Sequence, residues 1–131
     1  MDTIKVICGI IFDKEKVFIC RRKKGKSLAG FWEFPGGKIE EKETFEQALK
    51  RELHEELEMD VVIKEFIGQS NYNYDKIKIE LFGYECQLIN YKGKLNDHDS
   101  YEWIDISKLN EYNFAPADLP LITLILNKKN R

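Results

Sequence analysis

Glu52, Glu55 and Glu56 stand close together in a stretch where Phe45, Ala48, Leu49, Leu53 and Leu57 keep helical spacing. Thr44 followed by Gln47 is a capping-box signature, so a helix is expected over 45–57. At about 100° per residue, Glu52 and Glu56 project into the same sector as Phe45, Ala48 and Leu49. Glu55 lies three residues from Glu52, so like charges converge where apolar residues should continue. They also fall in the last turns, where the helix dipole disfavours each anion by about 0.3 to 1 kcal/mol. A solvated face neutralised by Lys42, Lys50 and Arg51 would be the ordinary explanation. Its context argues otherwise: Gly36-Gly37 precede the helix, and Arg21, Arg22, Lys23, Lys24 and Lys26 precede them, bringing backbone donors and cations near the acids. Carboxylate oxygens suit Mg²⁺ or Mn²⁺ with phosphate oxygens as further ligands, whereas two scattered histidines argue against Zn²⁺. Metal-assisted phosphoryl chemistry is the expectation.

The elements that must hold these acids follow from patterning. Residues 3–12 and 16–22 are β-branched and apolar around Asp13-Lys14-Glu15, a hairpin with buried strands. Residues 31–34 form a short strand ended by a sharp turn at Pro35-Gly36-Gly37. Strands are expected over 60–70, 75–89 and 100–104, with polar connections at 71–75 and 90–100 and a closing helix from Asp118 to about Asn127. The fold class is α/β or α+β, a mixed sheet with one helix inserted mid-chain and another at the end.

Gly37, five residues, Glu43, seven residues, then Arg51-Glu52-Leu53-His54-Glu55-Glu56 resembles the Nudix box, G-x5-E-x7-R-E-U-x-E-E-x-G-U. Glu58 stands at the late glycine position, so a non-glycine residue is expected to take the left-handed helix-ending conformation. Phe34-Pro35-Gly36-Gly37-Lys38-Ile39-Glu40 and Ala115-Pro116-Ala117-Asp118-Leu119-Pro120 are similar to the MutT-type branch, so the likeness covers nearly the whole chain.

The resemblance implies a mixed β-sheet sandwiched between α-helices and a single domain over 1–131. It implies that Glu52, Glu55, Glu56 and the Gly37 carbonyl hold Mg²⁺, with Mn²⁺ as an alternative, while Glu43 braces Arg51. Asp97 is the expected further acid. Substrate contacts are expected at Arg22, Glu33, Phe34, Lys38 and Asp118, with Asp118 reading the base as an ionised acceptor. The implied activity is hydrolysis of nucleoside triphosphates to monophosphate and pyrophosphate, of the 8-oxo-dGTP or (d)CTP type. Dinucleoside polyphosphates, ADP-ribose and a nucleotide-sensing module without turnover remain alternatives. Elsewhere, Tyr72 and Tyr74 serve a base stack or a strand end, His98 assists protonation or is an ordinary loop histidine, and Trp32 and Phe34 suit core packing as well as a base pocket.

Composition bounds the partners. With 131 residues, 43% of them hydrophobic, and 21 Lys+Arg against 23 Asp+Glu, the chain has no global positive field to hold a nucleic-acid polymer. A small-molecule nucleotide is the expected partner, with the protein a monomer or weak homodimer. No apolar run approaches the roughly 20 residues that span a bilayer, and the alternating start is no signal peptide. Three widely spaced cysteines read as packed reduced thiols, so a cytoplasmic protein is expected.

Overall fold

The computed structural model describes residues 2–129; Met1, Asn130 and Arg131, at the ends of the expected domain, lie outside them. Strands β1 (Asp2–Asp13) and β2 (Lys16–Arg22) begin as the expected hairpin, with Lys14 and its positive φ at the turn. They pair only at Phe12–Val17 and Asp13–Lys16 and then splay apart. Past the splay, β3 (Trp32–Glu33) pairs with β2, and β4 (Gly36–Lys38) pairs with β1. Strand β5 (Asp60–Tyr74) follows helix α1 (Phe45–Leu57), and β6 (Ile77–Asn90) returns antiparallel to β5 and parallel to β1. Strand β7 (His98–Asp105) covers the other edge of β2, and short 3-10 turns at 106–111 and 116–118 lead into helix α2 (Leu119–Lys129). The sheet is mixed, as expected.

Alternation along β1 and β2 sorts the core onto the two faces. Ile7, Ile11, Phe18 and Cys20 pack with Ala48, Leu49, Leu53 and Leu57 of α1. Cys8, Ile10, Val17 and Ile19 pack with Leu121, Ile122 and Ile125 of α2. All three cysteines are buried free thiols.

Three expectations are corrected. Pro35-Gly36-Gly37 is no sharp turn, because Gly36 and Gly37 lie in β4 and are needed for close approach. A Cβ on Gly36 would fall 1.9 Å from the Ile7 carbonyl oxygen, and one on Gly37 would fall 2.4 Å from the Glu52 carboxyl carbon. The polar connection at 71–75 is mostly strand: Tyr72 and Tyr74 pair with Ile79 and Ile77, and cross-strand pairing overrides the asparagines between them. Likewise β7 begins at His98, inside the connection placed at 90–100.

Helix α1 ends as its box requires, on Glu58 at φ 48°, whose N–H reaches the His54 carbonyl oxygen at 2.9 Å. Glycine has no Cβ penalty there. Glu58→Gly should therefore raise stability by about 0.5–1 kcal/mol, less the exposed Lys94 ion pair it gives up. Denaturant midpoints would check this, and a less stable glycine variant would contradict it.

Candidate active site

The N-terminus of α1 is fixed by reciprocal hydrogen bonds: Gln47 N–H donates to Thr44 Oγ1 at 3.1 Å, and Thr44 N–H donates to Gln47 Oε1 at 2.9 Å. Two turns on, Arg51 gathers the acids. Its Nε and Nη2 donate to the two Glu43 carboxylate oxygens at 2.6 and 2.9 Å, and Nη2 also donates to the Lys38 carbonyl at 3.0 Å. Nη1 donates to Glu52 Oε1 at 2.9 Å and Glu55 Oε2 at 3.3 Å. The Arg51 hydrogen bonds, with the Glu40 N–H, lower Glu43 to about 2. Glu43 in turn raises Arg51, so that cation is permanent.

Glu52 and Glu56 turn inward as their sector predicts, whereas the Glu55 side chain is 56% exposed. Burial raises Glu52 against the pull of Arg51. Glu56 Oε2 is buried with no donor to it. Asp97 lies across from Glu56, and only a proton on one carboxyl makes a hydrogen bond between the two. Burial first, and Asp97 second, raise Glu56 to about 7. Asp97 is lowered by the same hydrogen bond and by Lys26 Nζ at 3.2 Å.

An orphaned buried carboxylate oxygen, a half-buried carboxylate under a bare glycine Cα and a Glu56–Asp97 pair of acids are what an oxygen-liganded cation would satisfy. The residues fit a divalent metal.

Across β4 lies a cavity of about 560 Å³ whose lining includes Arg22, Glu33, Phe34, Gly37, Lys38 and Asp118. The five expected substrate contacts thus share one cavity, and Gly37 belongs to its wall and to the Glu52 cradle. Arg22 is held by Ser27, whose carbonyl accepts from Nε at 2.6 Å, and by Glu33 Oε2 at 3.2 Å from Nη1. Phe34 is 2% exposed with its ring against Phe114, which gives it a packing role. Its N–H donates to Asp118 Oδ2 at 2.8 Å.

Asp118 is the residue expected to read the base as an ionised acceptor. It is buried, and burial, then the charge of Glu33, push it well above the usual carboxylate range. The cavity also takes in Ser27, Leu28, Tyr74, Ile77 and Ile79, which sequence reading left out or left open. A lone signal, Tyr74 with Ile77 at one strand end, was available. His98 is a buried strand residue with Nε2 2.8 Å from Glu33 Oε2, and not an ordinary loop histidine.

The NUDIX domain family model matches residues 7–124. The chain belongs to that family. This Nudix domain is 34% identical over 124 residues to the 8-oxo-dGTP diphosphatase of Buchnera aphidicola subsp. Schizaphis graminum (strain Sg), across 93% of this chain and 92% of that one. It is 31% identical over 122 residues to the CTP pyrophosphohydrolase of Escherichia coli (strain K12), across 93% and 90%. The solution NMR structure of the DNA mismatch repair protein MutT from methicillin resistant Staphylococcus aureus 252 superposes with a TM-score of 0.78 at 36% identity, covering 98% of this chain and 99% of that one. The protein is a MutT-like Nudix hydrolase.

The depressed Glu43 makes an acid-stability prediction. A carboxyl lowered from 4.5 to about 2 on folding contributes stability that is complete above 4.5 and lost as pH falls through about 2. Glu43→Gln should be less stable than the parent at neutral pH, with the gap closing between those limits. Melting curves across that range test it; a gap independent of pH would refute the ion pair's role.

Proposed function

We propose that this Nudix domain hydrolyses nucleoside triphosphates to monophosphate and pyrophosphate in nucleotide-pool sanitation, with 8-oxo-dGTP ahead and (d)CTP derivatives second. One observation carries the reading: Gly37 joins the carboxylate cluster of α1 to a cavity of nucleoside size whose lining combines apolar residues such as Ile4, Val6, Ile77 and Leu81 with Arg22, Lys38, Glu33 and Asp118. The relatives' substrates support the choice of nucleotide.

Glu52, Glu55, Glu56, Asp97 and the Gly37 carbonyl are the groups that would hold a divalent cation, Mg²⁺ by preference for an all-oxygen set. Bound there, the cation supplies positive charge that offsets the phosphates and makes water more acidic. The chain's own work is positional. Arg51 fixes Glu52 and Glu55 in rotation, and Glu43 fixes Arg51. A carboxylate of this set takes a proton from the attacking water as the oxygen bonds to phosphorus and the bridging P–O bond breaks. Arg22 or Lys38 meets the charge that develops on the phosphates. Asp118, anchored through Oδ2 on the Phe34 N–H, turns its other oxygen to the base.

The chain is proposed to act as a monomer or weak homodimer. No helix among the described residues is long and apolar enough to cross a membrane. Three buried free thiols support a reducing, cytoplasmic setting.

Purified protein with Mg²⁺ should release pyrophosphate from a nucleoside triphosphate panel; affinity without turnover would favour the sensing module. Glu55→Gln should lower kcat by at least about a hundredfold, with melting temperature held or raised as helix repulsion eases. Near-parental turnover at saturating Mg²⁺ would remove Glu55 from the site. Asp97→Asn should weaken metal-dependent turnover by less, because it removes one charge of four. Asp118→Asn places an amide donor where a carboxyl oxygen can accept. It should cut kcat/KM for 5-methyl-dCTP by about tenfold relative to 8-oxo-dGTP, since one mispaired buried hydrogen bond costs about 1–3 kcal/mol. An unchanged ratio means Asp118 does not read the base.

A further inference from the structure

Apart from the glutamates of α1, a second set of ligand-type side chains meets where β2, β3 and the start of β7 adjoin. One ligand atom each from Cys20, Glu33 and His98 lies within 4.8 Å of the others. Among the described residues this is the one group of three His, Cys, Asp or Glu side chains so close. Strand register produces it: Cys20 pairs with Glu33 across β2 and β3, and Arg22 pairs with His98 across β2 and β7, beside a bulge at Arg21 and Arg22. Cys20 is wholly buried, and the His98 side chain is 3% exposed. His98 Nε2 faces Glu33 Oε2 at 2.8 Å, while Nδ1 is buried with no partner. The Cys20 thiol donates only a long bond, 3.5 Å, to the Glu33 carbonyl. A core that needed packing alone would place an apolar side chain at position 98.

We infer that Cys20, Glu33 and His98 bind a divalent cation of the Zn²⁺ class and that its binding inhibits the enzyme. Thiolate, imidazole and carboxylate form the mixed set that a borderline-soft cation takes tetrahedrally, with a fourth position left to water from the cavity. Bond lengths of about 2.0–2.3 Å put such donors roughly 3.3–3.8 Å apart, so a contraction of about 1 Å closes the site. Mg²⁺, which demands oxygen ligands, is excluded by the same chemistry. Access is through Glu33, which lines the nucleotide cavity. On binding, the thiol proton passes to solvent, and Glu33 exchanges the Arg22 guanidinium, now 3.2 Å away, for the metal. Inhibition rests on the reading of Arg22 and Glu33 as nucleotide contacts; metal binding does not.

Reduced protein with saturating Mg²⁺ is titrated with Co²⁺. A stoichiometric sulfur-to-cobalt charge-transfer absorption, displaced by Zn²⁺, is expected. Cys20→Ser should abolish it, leaving Cys8 and Cys86 excluded as its source. Zn²⁺ affinity should fall by about a hundredfold or more, because losing a ligand exceeds the roughly 10–100-fold cost of losing an outer partner. His98→Gln should weaken binding likewise and serves where Cys20→Ser fails to fold. In hydrolysis assays Zn²⁺ should inhibit the parent, while Cys20→Ser keeps the Mg²⁺-supported rate and resists Zn²⁺. Missing absorption in the parent, or absorption that survives Cys20→Ser, overturns the site. Equal Zn²⁺ inhibition of both proteins overturns the inhibitory link.

Discussion

The Arg51 guanidinium is the interaction on which the site depends. Its planar fork meets Glu43 through two parallel bonds, and its remaining nitrogen serves Glu52 and Glu55 together. Glu52 and Glu55, one turn apart on α1, would otherwise repel and turn apart, since like charges at helical spacing are destabilising. A lysine would not replace it, because a point charge cannot hold two oxygens of one acid and orient toward a second. The Lys38 carbonyl ties the same guanidinium to β4, so the helix and the strand that walls the cavity are located against each other by one side chain.

The splay between β1 and β2 is the second constraint. A hairpin that stayed zipped would bury its own interior, whereas this one releases after two residue pairs and admits β3 and β4. Gly36 makes the insertion possible, since any side chain there would strike the β1 backbone. Gly37 then leaves the Glu52 carboxyl room directly beneath the strand. The glycines therefore act through what they omit.

Helix α1 was legible in the sequence because cap, apolar spacing and misplaced glutamates all reported on local structure. The mixed sheet and the paired helices were legible from the order of elements. What escaped was set by register between distant segments. Nothing local to His98 shows that β7 starts there or that it meets Cys20 and Glu33, which depends on a bulge in β2. Tyr72 and Tyr74 looked like a polar connection because Asn71 and Asn73 flank them, and only pairing with β6 makes them strand. Asp118 shows a related gap: its residue type was visible, but the burial beside Glu33 that raises its carboxyl was not.

The two sides of β4 follow one physical logic. On the helix side, burial and the neighbouring Asp97 raise Glu56, while the hydrogen bond to Glu56 lowers Asp97. On the cavity side, Asp118 lies buried near Glu33 and is driven toward the neutral form by the same two causes. Each arrangement costs stability in the free protein, as buried acids without full partners do. Each is relieved by a group that brings what is missing. On the proposed function, a cation would supply positive charge to the first, and a base edge would supply hydrogen bonds to the second. A nucleotide carrying its metal would satisfy both at once across a wall three residues long, Gly36–Lys38, which ties selection of the base to the placement of the phosphates.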